Sequence, residues 1–221
     1  MAPQSGIGGV VLCGGLSTRM GRPKAWLPFG DELMLPRVVR ILSEVVSPIV
    51  VVAARGQDIP QMLSDVHVVC DEYDAYGPLA GLAAGLTALT GRCGAAYATS
   101  CDVPLLNAQF VERVVGLLGD YDMAIPRDAE FAHPLAAVYR TSLATTARER
   151  IAAGERRLLS LLDDCRGRNI EMSELREVDP ELRSLRNLNS PEDYAWAVRE
   201  ALLPSVVPGR SVAETPHAGP L

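Results

Sequence analysis

The sequence predicts one α/β domain, Rossmann-like and three-layered, with helices on both faces of a mostly parallel twisted sheet. Short β-branched apolar runs recur with continuous rather than alternating hydrophobicity, the pattern of strands covered on both faces. Between them lie segments whose apolar residues fall at three- and four-residue steps, the period of helices packed on one side. The 221 residues are 48% hydrophobic and 22% charged, enough for a single domain with a substantial core.

Ile7 to Cys13 is the first strand, carried by Ile7, Val10, Val11 and Leu12, and a Gly-rich polar loop follows from Gly14 to Lys24. Leu35, Val38, Val39, Leu42, Val45 and Val46 then form one face of a helix, with Arg37, Arg40 and Glu44 opposite and Pro36 in the first turn. Ile49 to Ala53 and Val66 to Cys70 read as the second and third buried strands, and Asp71 to Gly77 as a polar turn. Pro78 opens a helix over Leu79 to Leu89, which carries Gly81 and Gly85. A helix-interior glycine costs about 1 kcal/mol against alanine, so this pair points to close packing or close approach of a ligand.

The fourth strand, Ala95 to Ser100, ends in Cys101-Asp102-Val103-Pro104, and Asn107 is placed to cap a helix running through Leu118. Met123 to Pro126 and Leu135 to Tyr139 read as two further strands separated by a polar excursion. Ser142 to Ala153 and Arg157 to Leu162 are helical in pattern, with a break at Gly154. The last helix starts at Ser190-Pro191-Glu192-Asp193, where a cap, an N1 proline and two acids suit the positive helix end, and runs to about Leu203. Pro204, Pro208, Pro216 and Pro220 punctuate an aperiodic remainder. Residues 1–203 are therefore expected to form the domain and 204–221 a disordered tail.

Charge and composition exclude several classes. With 27 acidic against 21 basic groups the net charge is -6, which argues against a nucleic-acid binder but leaves a small phosphorylated ligand open. No apolar run reaches the roughly 20 residues of a membrane span, and Met1 to Gly6 lacks a basic signal region. A cytoplasmic protein without a membrane partner is expected. The five cysteines (Cys13, Cys70, Cys93, Cys101, Cys165) include no C-x-x-C pair and read as reduced thiols, and three scattered histidines make no metal site.

In a parallel α/β sheet, ligands gather at the carboxyl ends of the strands. Those ends are Cys13-Gly14-Gly15, Ala53-Ala54-Arg55, Cys70-Asp71 and Cys101-Asp102. After the first of them, Gly14 and Gly15 can turn backbone N–H groups toward an anion. Ser17 and Thr18 add hydroxyls, and Arg19, Arg22 and Lys24 add positive charge. The combination suits a triphosphate, although neither the G-x-x-x-x-G-K-[ST] nor the G-x-G-x-x-G pattern is present. Asp102 fits a Mg²⁺ ligand or an Asx-turn before Pro104. Arg156 and Arg157 fit either solvated charges at a helix start or contacts to a phosphorylated acceptor.

The run from Gly14 to Lys24 resembles the signature of nucleotidyltransferases with a Rossmann-like core, Gly-Gly-x-Ser-x-Arg-Met-Gly-x-x-Lys. Four further segments are similar to the molybdenum cofactor guanylyltransferases. They are Asp71 with Gly77-Pro78-Leu79-Ala80-Gly81, Asp102-Val103-Pro104, His133-Pro134 with Gly154-Glu155-Arg156-Arg157, and Asn187-Leu188-Asn189-Ser190-Pro191-Glu192. Together they span most of residues 7–203 in the family's order.

The resemblance implies transfer of GMP from GTP to the phosphate of molybdenum-bound molybdopterin, with Mg²⁺ as cofactor. Leu12, Cys13, Gly14 and Gly15 would meet the nucleotide through the backbone, and Arg19 and Lys24 would act on its phosphates. Asp71 would contact the base or ribose, Gly77 to Gly81 would wall the base pocket, and Asp102 would bind both GTP and Mg²⁺. His133 and Arg156 would serve the acceptor, and Asn187 and Asn189 would lie on its pterin side. A monomer is expected, in transient contact with molybdoenzymes or cofactor-delivery proteins. A relative using CTP or another acceptor, or a non-catalytic cofactor-binding protein, is the alternative. The chain departs from the family in having Cys13 in place of alanine. It also has Ala53-Ala54-Arg55 where an asparagine is usual, so that a base contact is missing or supplied by Arg55.

Overall fold

The computed structural model describes residues 6–14, 22–62, 66–71 and 77–201. Gly15 and Arg19 lie outside them, as do residues 202–221 and with them the expected tail. The main sheet has seven strands: β1 (Ile7–Leu12), β4 (Ile49–Ala53), β5 (Val66–Cys70), β6 (Ala95–Ser100), β7 (Met123–Arg127), β8 (Ala137–Arg140) and β9 (Gly167–Glu171). Their spatial order is β5-β4-β1-β6-β8-β7-β9, and a separate hairpin joins β2 (Pro28–Phe29) to β3 (Glu32–Leu33). Every neighbouring pair in the main sheet is parallel except the two made by β8.

Strand alternation sends side chains into two cores. Val11, Val51 and Tyr97 face α1 (Met34–Ser43), α3 (Ala108–Gly116) and α5 (Met172–Arg176). Val10, Val50, Ala96 and Ala98 face α2 (Pro78–Leu89) and α4 (Leu143–Ala152). That is the expected three-layer arrangement. A third cluster seats α6 (Pro191–Ala201) through Ala197, with Leu188, against Leu27, Phe29 and Met34 around the hairpin.

The glycines of α2 act in packing. A Cβ on Gly85 would lie 2.5 Å from Val10 Cγ1, and one on Gly81 would lie 3.1 Å from Leu12 Cδ2. Without those methyls, α2 seats directly on β1. Asn107 caps α3 by accepting from Gln109 N at 2.8 Å.

Four expectations need correction. β5 is not buried but forms the sheet edge, with His67, Val68 and Cys70 exposed. The first helix stops at Ser43, leaving Val45 and Val46 in the turn that leads to β4. The stretch over Arg157 to Leu162 is a 3-10 helix, Leu158–Asp163, rather than an α-helix. A strand and a short helix, β9 and α5, follow where no element was expected.

Candidate functional site

From β1 the chain moves outward to β4 on one side and later returns to β6 on the other. This reversal makes the crevice between β1 and β6 the topological switch point, where open α/β sheets bind ligands. Leu12 pairs in register with Ser100, and Cys101 N donates to Leu12 O at 3.0 Å. The strand ends therefore bring Cys13 and Gly14 alongside Cys101 and Asp102.

Asp102 is the hub of this crevice and is only 8% exposed. Its Oδ1 accepts from Ser100 Oγ at 2.5 Å and from Asn187 Nδ2 at 3.0 Å. Its Oδ2 accepts from Lys24 Nζ at 2.7 Å, and the same ammonium donates to Asn189 Oδ1 at 2.9 Å. Lys24 opens a one-turn 3-10 helix, Lys24–Trp26, anchored by buried Ala25. The segment carrying the asparagines is held by Leu188 N, which donates to Asp102 O at 2.9 Å. The start of α6 then fixes Asn189: Asp193 Oδ2 accepts from the backbone N–H of Asn189 and Ser190, and Ser190 Oγ accepts from Asp193 N. This reciprocal cap joins Asn189 to the helix end.

Gln57 laces a second corner of the site. Its Oε1 accepts from Ala54 N at 2.9 Å and its Nε2 donates to Cys13 O at 3.0 Å. Asp71 is tied to the same corner, since its N–H donates to Ala53 O at 2.8 Å. Arg55, by contrast, is exposed. A hydrogen bond between the Cys13 and Cys101 thiols holds Cys13 below the ordinary thiol range and pushes Cys101 above it, with burial adding to the rise at Cys101.

The remaining expected site residues flank this cluster. Gly77 has φ +73, a conformation that favours glycine, and its Cβ position lies 3.6 Å from Arg156 O. The start of α2 thus meets the Gly154 to Arg157 turn. There Glu155 accepts from the Arg157 guanidinium and from the N–H groups of Arg157 and Arg156, which holds its carboxyl down at about 2. Arg156 and Arg157 themselves are exposed. His133 sits in the β7–β8 connection, its Nε2 3.9 Å from Asp128 Oδ2, and burial pushes it below the usual histidine value. Its described partners are Asp128, Pro126 and Ala136 rather than members of the Asp102 cluster.

Ser100 and Gln57 were not expected in the site. Ser100 reads from sequence as the last residue of a buried strand, and Gln57 lies 44 positions from Cys13 with no local motif. The helix start at Ser190-Pro191, with Ser190 as cap, is a sequence signal that anticipates the order of the neighbouring asparagines.

Asp102 offers a hard oxygen donor, a carboxylate whose described partners are Ser100, Asn187 and the Lys24 ammonium. Among the described residues no group of three or more His, Cys, Asp or Glu gathers. A single carboxylate at a strand end fits Mg²⁺, which is commonly held by one or two carboxylates with the rest of its shell from substrate phosphates and water.

Fold and strand-end placement together define a mostly parallel α/β domain with a ligand crevice at the ends of β1 and β6. Residues 9–169 match the MobA-like NTP transferase domain, and the chain belongs to that family. It is 36% identical over 199 residues to a probable molybdenum cofactor guanylyltransferase of Mycobacterium avium, covering 87% of this chain and 95% of that one. A Mycobacterium tuberculosis protein of the same description is 37% identical over 190 residues, covering 83% and 89%. Among solved structures, molybdopterin-guanine dinucleotide biosynthesis protein A of Archaeoglobus fulgidus superposes with a TM-score of 0.72 at 23% identity, covering 88% of this chain and 98% of that one. At that identity the last likeness concerns the fold. No described helix is long and apolar enough to cross a membrane.

Proposed function

We propose that the protein is a molybdenum cofactor guanylyltransferase, transferring GMP from GTP to the phosphate of molybdenum-bound molybdopterin with release of diphosphate. The observation that carries this reading is the Lys24–Asp102 pair at the β1/β6 switch point, closed by Asn187 and Asn189. An acceptor phosphate oxygen attacks the α-phosphorus, a new P–O bond forms, and the bond from the α-phosphorus to the bridging oxygen breaks. The electron pair leaves with diphosphate.

In this reading Gly14 and Gly15 orient the phosphates with backbone N–H groups, and Lys24 and Arg19 hold the leaving diphosphate. Asp71, tied to the end of β4, takes the nucleoside, and the start of α2, Gly77 to Gly81, walls the base. Asp102 would hold Mg²⁺, with Ser100 and Asn187 fixing its orientation. A bound Mg²⁺ supplies charge neutralisation for the transferring phosphoryl group. His133, Arg156 and Asn189 would face the acceptor. Catalysis is then positioning and electrostatics, without a covalent enzyme intermediate. The protein would work as a cytoplasmic monomer, meeting molybdoenzymes or delivery proteins transiently.

The test compares GTP, CTP, ATP and UTP for Mg²⁺-dependent diphosphate release, with and without molybdenum-bound molybdopterin. Release that needs the acceptor and favours GTP is expected. A preference for CTP, or release that ignores the acceptor, would overturn the reading.

A further inference from the structure

The two oxygens of the Asp102 carboxylate have different kinds of partner. Oδ1 is taken by neutral donors, Ser100 Oγ and Asn187 Nδ2, which fix the plane of the group. Oδ2 is taken by a charge, the Lys24 ammonium, at 2.7 Å, and Asn189 Oδ1 meets that ammonium from another side at 2.9 Å. Two oxygens therefore converge on one cationic centre, and replacing that centre leaves the orientation of the carboxylate intact. The pair is largely enclosed, with side-chain exposures of 18% for Lys24 and 11% for Asp102. A buried carboxylate stripped of its counter-charge is strongly unfavourable, so the ammonium leaves Oδ2 only as another cation arrives. Lysine suits such an exchange, being a compact charge on a flexible four-carbon stem.

We propose that Lys24 is the resident counter-ion of Asp102, which a divalent cation must displace from Oδ2, so that metal loading at Asp102 is tied to the transfer of the Lys24 ammonium to a phosphate group. This rests on the reading of Asp102 as the metal carboxylate and of Lys24 as a phosphate contact. The ion pair thus makes the site a poor one for free divalent metal and a good one for metal and triphosphate together. Each new ligand removes the charge that the other would leave unpaired. The exchange is one of non-covalent partners only, and the proton stays on the lysine throughout.

The test uses Mn²⁺ alone as the probe, without nucleotide, followed by the loss of the free Mn²⁺ paramagnetic resonance signal on full-length protein. The wild type should bind weakly. Lys24→Gln, which keeps a polar side chain but removes the charge, should bind about tenfold more tightly or better, while Lys24→Arg should stay as weak as the wild type. Adding Asp102→Asn to Lys24→Gln should abolish the gain. Melting curves for each variant establish that folded protein is compared. If Lys24→Gln binds Mn²⁺ no more tightly than the wild type, or if Lys24→Arg binds as tightly as Lys24→Gln, the counter-ion role is wrong. If the gain survives the added Asp102→Asn, the assignment of the metal to Asp102 is what fails.

Discussion

Lys24 Nζ lies 2.7 Å from Asp102 Oδ2 across 78 positions of sequence. The contact closes because β1 and β6 are parallel neighbours whose ends stop level, Leu12 opposite Ser100. Cys13 and Gly14 after β1 and the turn after β6 therefore lie at the same crevice. Asn187 and Asn189 arrive from the far end of the chain and share the pair between them, one on the carboxylate and the other on the ammonium. The fold thereby gathers three separate stretches of sequence around one charge pair.

Asn187 should act through Asp102. Removing its amide leaves Ser100 alone to orient Oδ1, and a hydrogen bond to a charged group contributes about 1.5–3 kcal/mol. Asn187→Ala is expected to lower kcat by tenfold or more at saturating GTP and Mg²⁺. Steady-state kinetics with both ligands titrated checks this, and an unchanged kcat would show that Ser100 suffices.

Packing of α2 on β1 gives a prediction about stability rather than chemistry. Gly85→Ala places a methyl 2.5 Å from Val10 Cγ1, on a side chain that is fully buried. Overpacking of this kind costs about 1–3 kcal/mol, partly offset by the roughly 1 kcal/mol better helix propensity of alanine. Urea denaturation should show a lower midpoint for the variant. A midpoint at or above that of the wild type would mean that α2 seats less closely than described.

Much of this was legible in the sequence because burial on both faces leaves a plain signature. β1, β4 and β6 are covered by helices on either side, and their apolar runs stand out. β9 was not legible, since Gly167, Arg168, Asn169 and Glu171 are polar or small and only Ile170 is buried. β5 misled for the opposite reason: its valines suggest burial, yet strand order leaves Val68 at the sheet edge, 51% exposed. The reversed direction of β8 has no periodic signal at all, because a strand reads the same either way. In the site, Lys24 and Asp102 stood out by motif, whereas Ser100, two positions before Asp102, reads as one more residue of a buried strand, and Gln57 reaches Cys13 only across 44 positions. No local pattern could have shown that Gln57 bridges Ala54 to Cys13.

His133 sets a pH dependence. Burial pushes it below the ordinary 6.5, and the Asp128 carboxylate opposes that shift only in part. Unfolding therefore takes up a proton between the folded value and 6.5, so stability falls as pH drops through that window and is fully present above it. Asp128 titrates below its ordinary 3.8, well outside the window. His133→Gln should flatten this part of the profile of Tm against pH, read by thermal melts from pH 8 downward. A slope between pH 6.5 and the acid limb that is the same in both proteins would contradict the burial argument.

In the proposed reaction Asp102 is the carboxylate through which a divalent cation serves the transfer, and Asp102→Asn probes that role. The substitution keeps the shape of the side chain and removes the charge. The measurement is diphosphate release from GTP in the presence of molybdenum-bound molybdopterin, with Mg²⁺ titrated for wild type and variant at matched folded concentration. Losing the metal's stabilisation of the transition state removes several kcal/mol, so the variant is expected to lose Mg²⁺-dependent turnover by orders of magnitude while keeping a wild-type circular dichroism spectrum. Near-normal turnover with the same Mg²⁺ dependence would contradict the account and place the metal elsewhere.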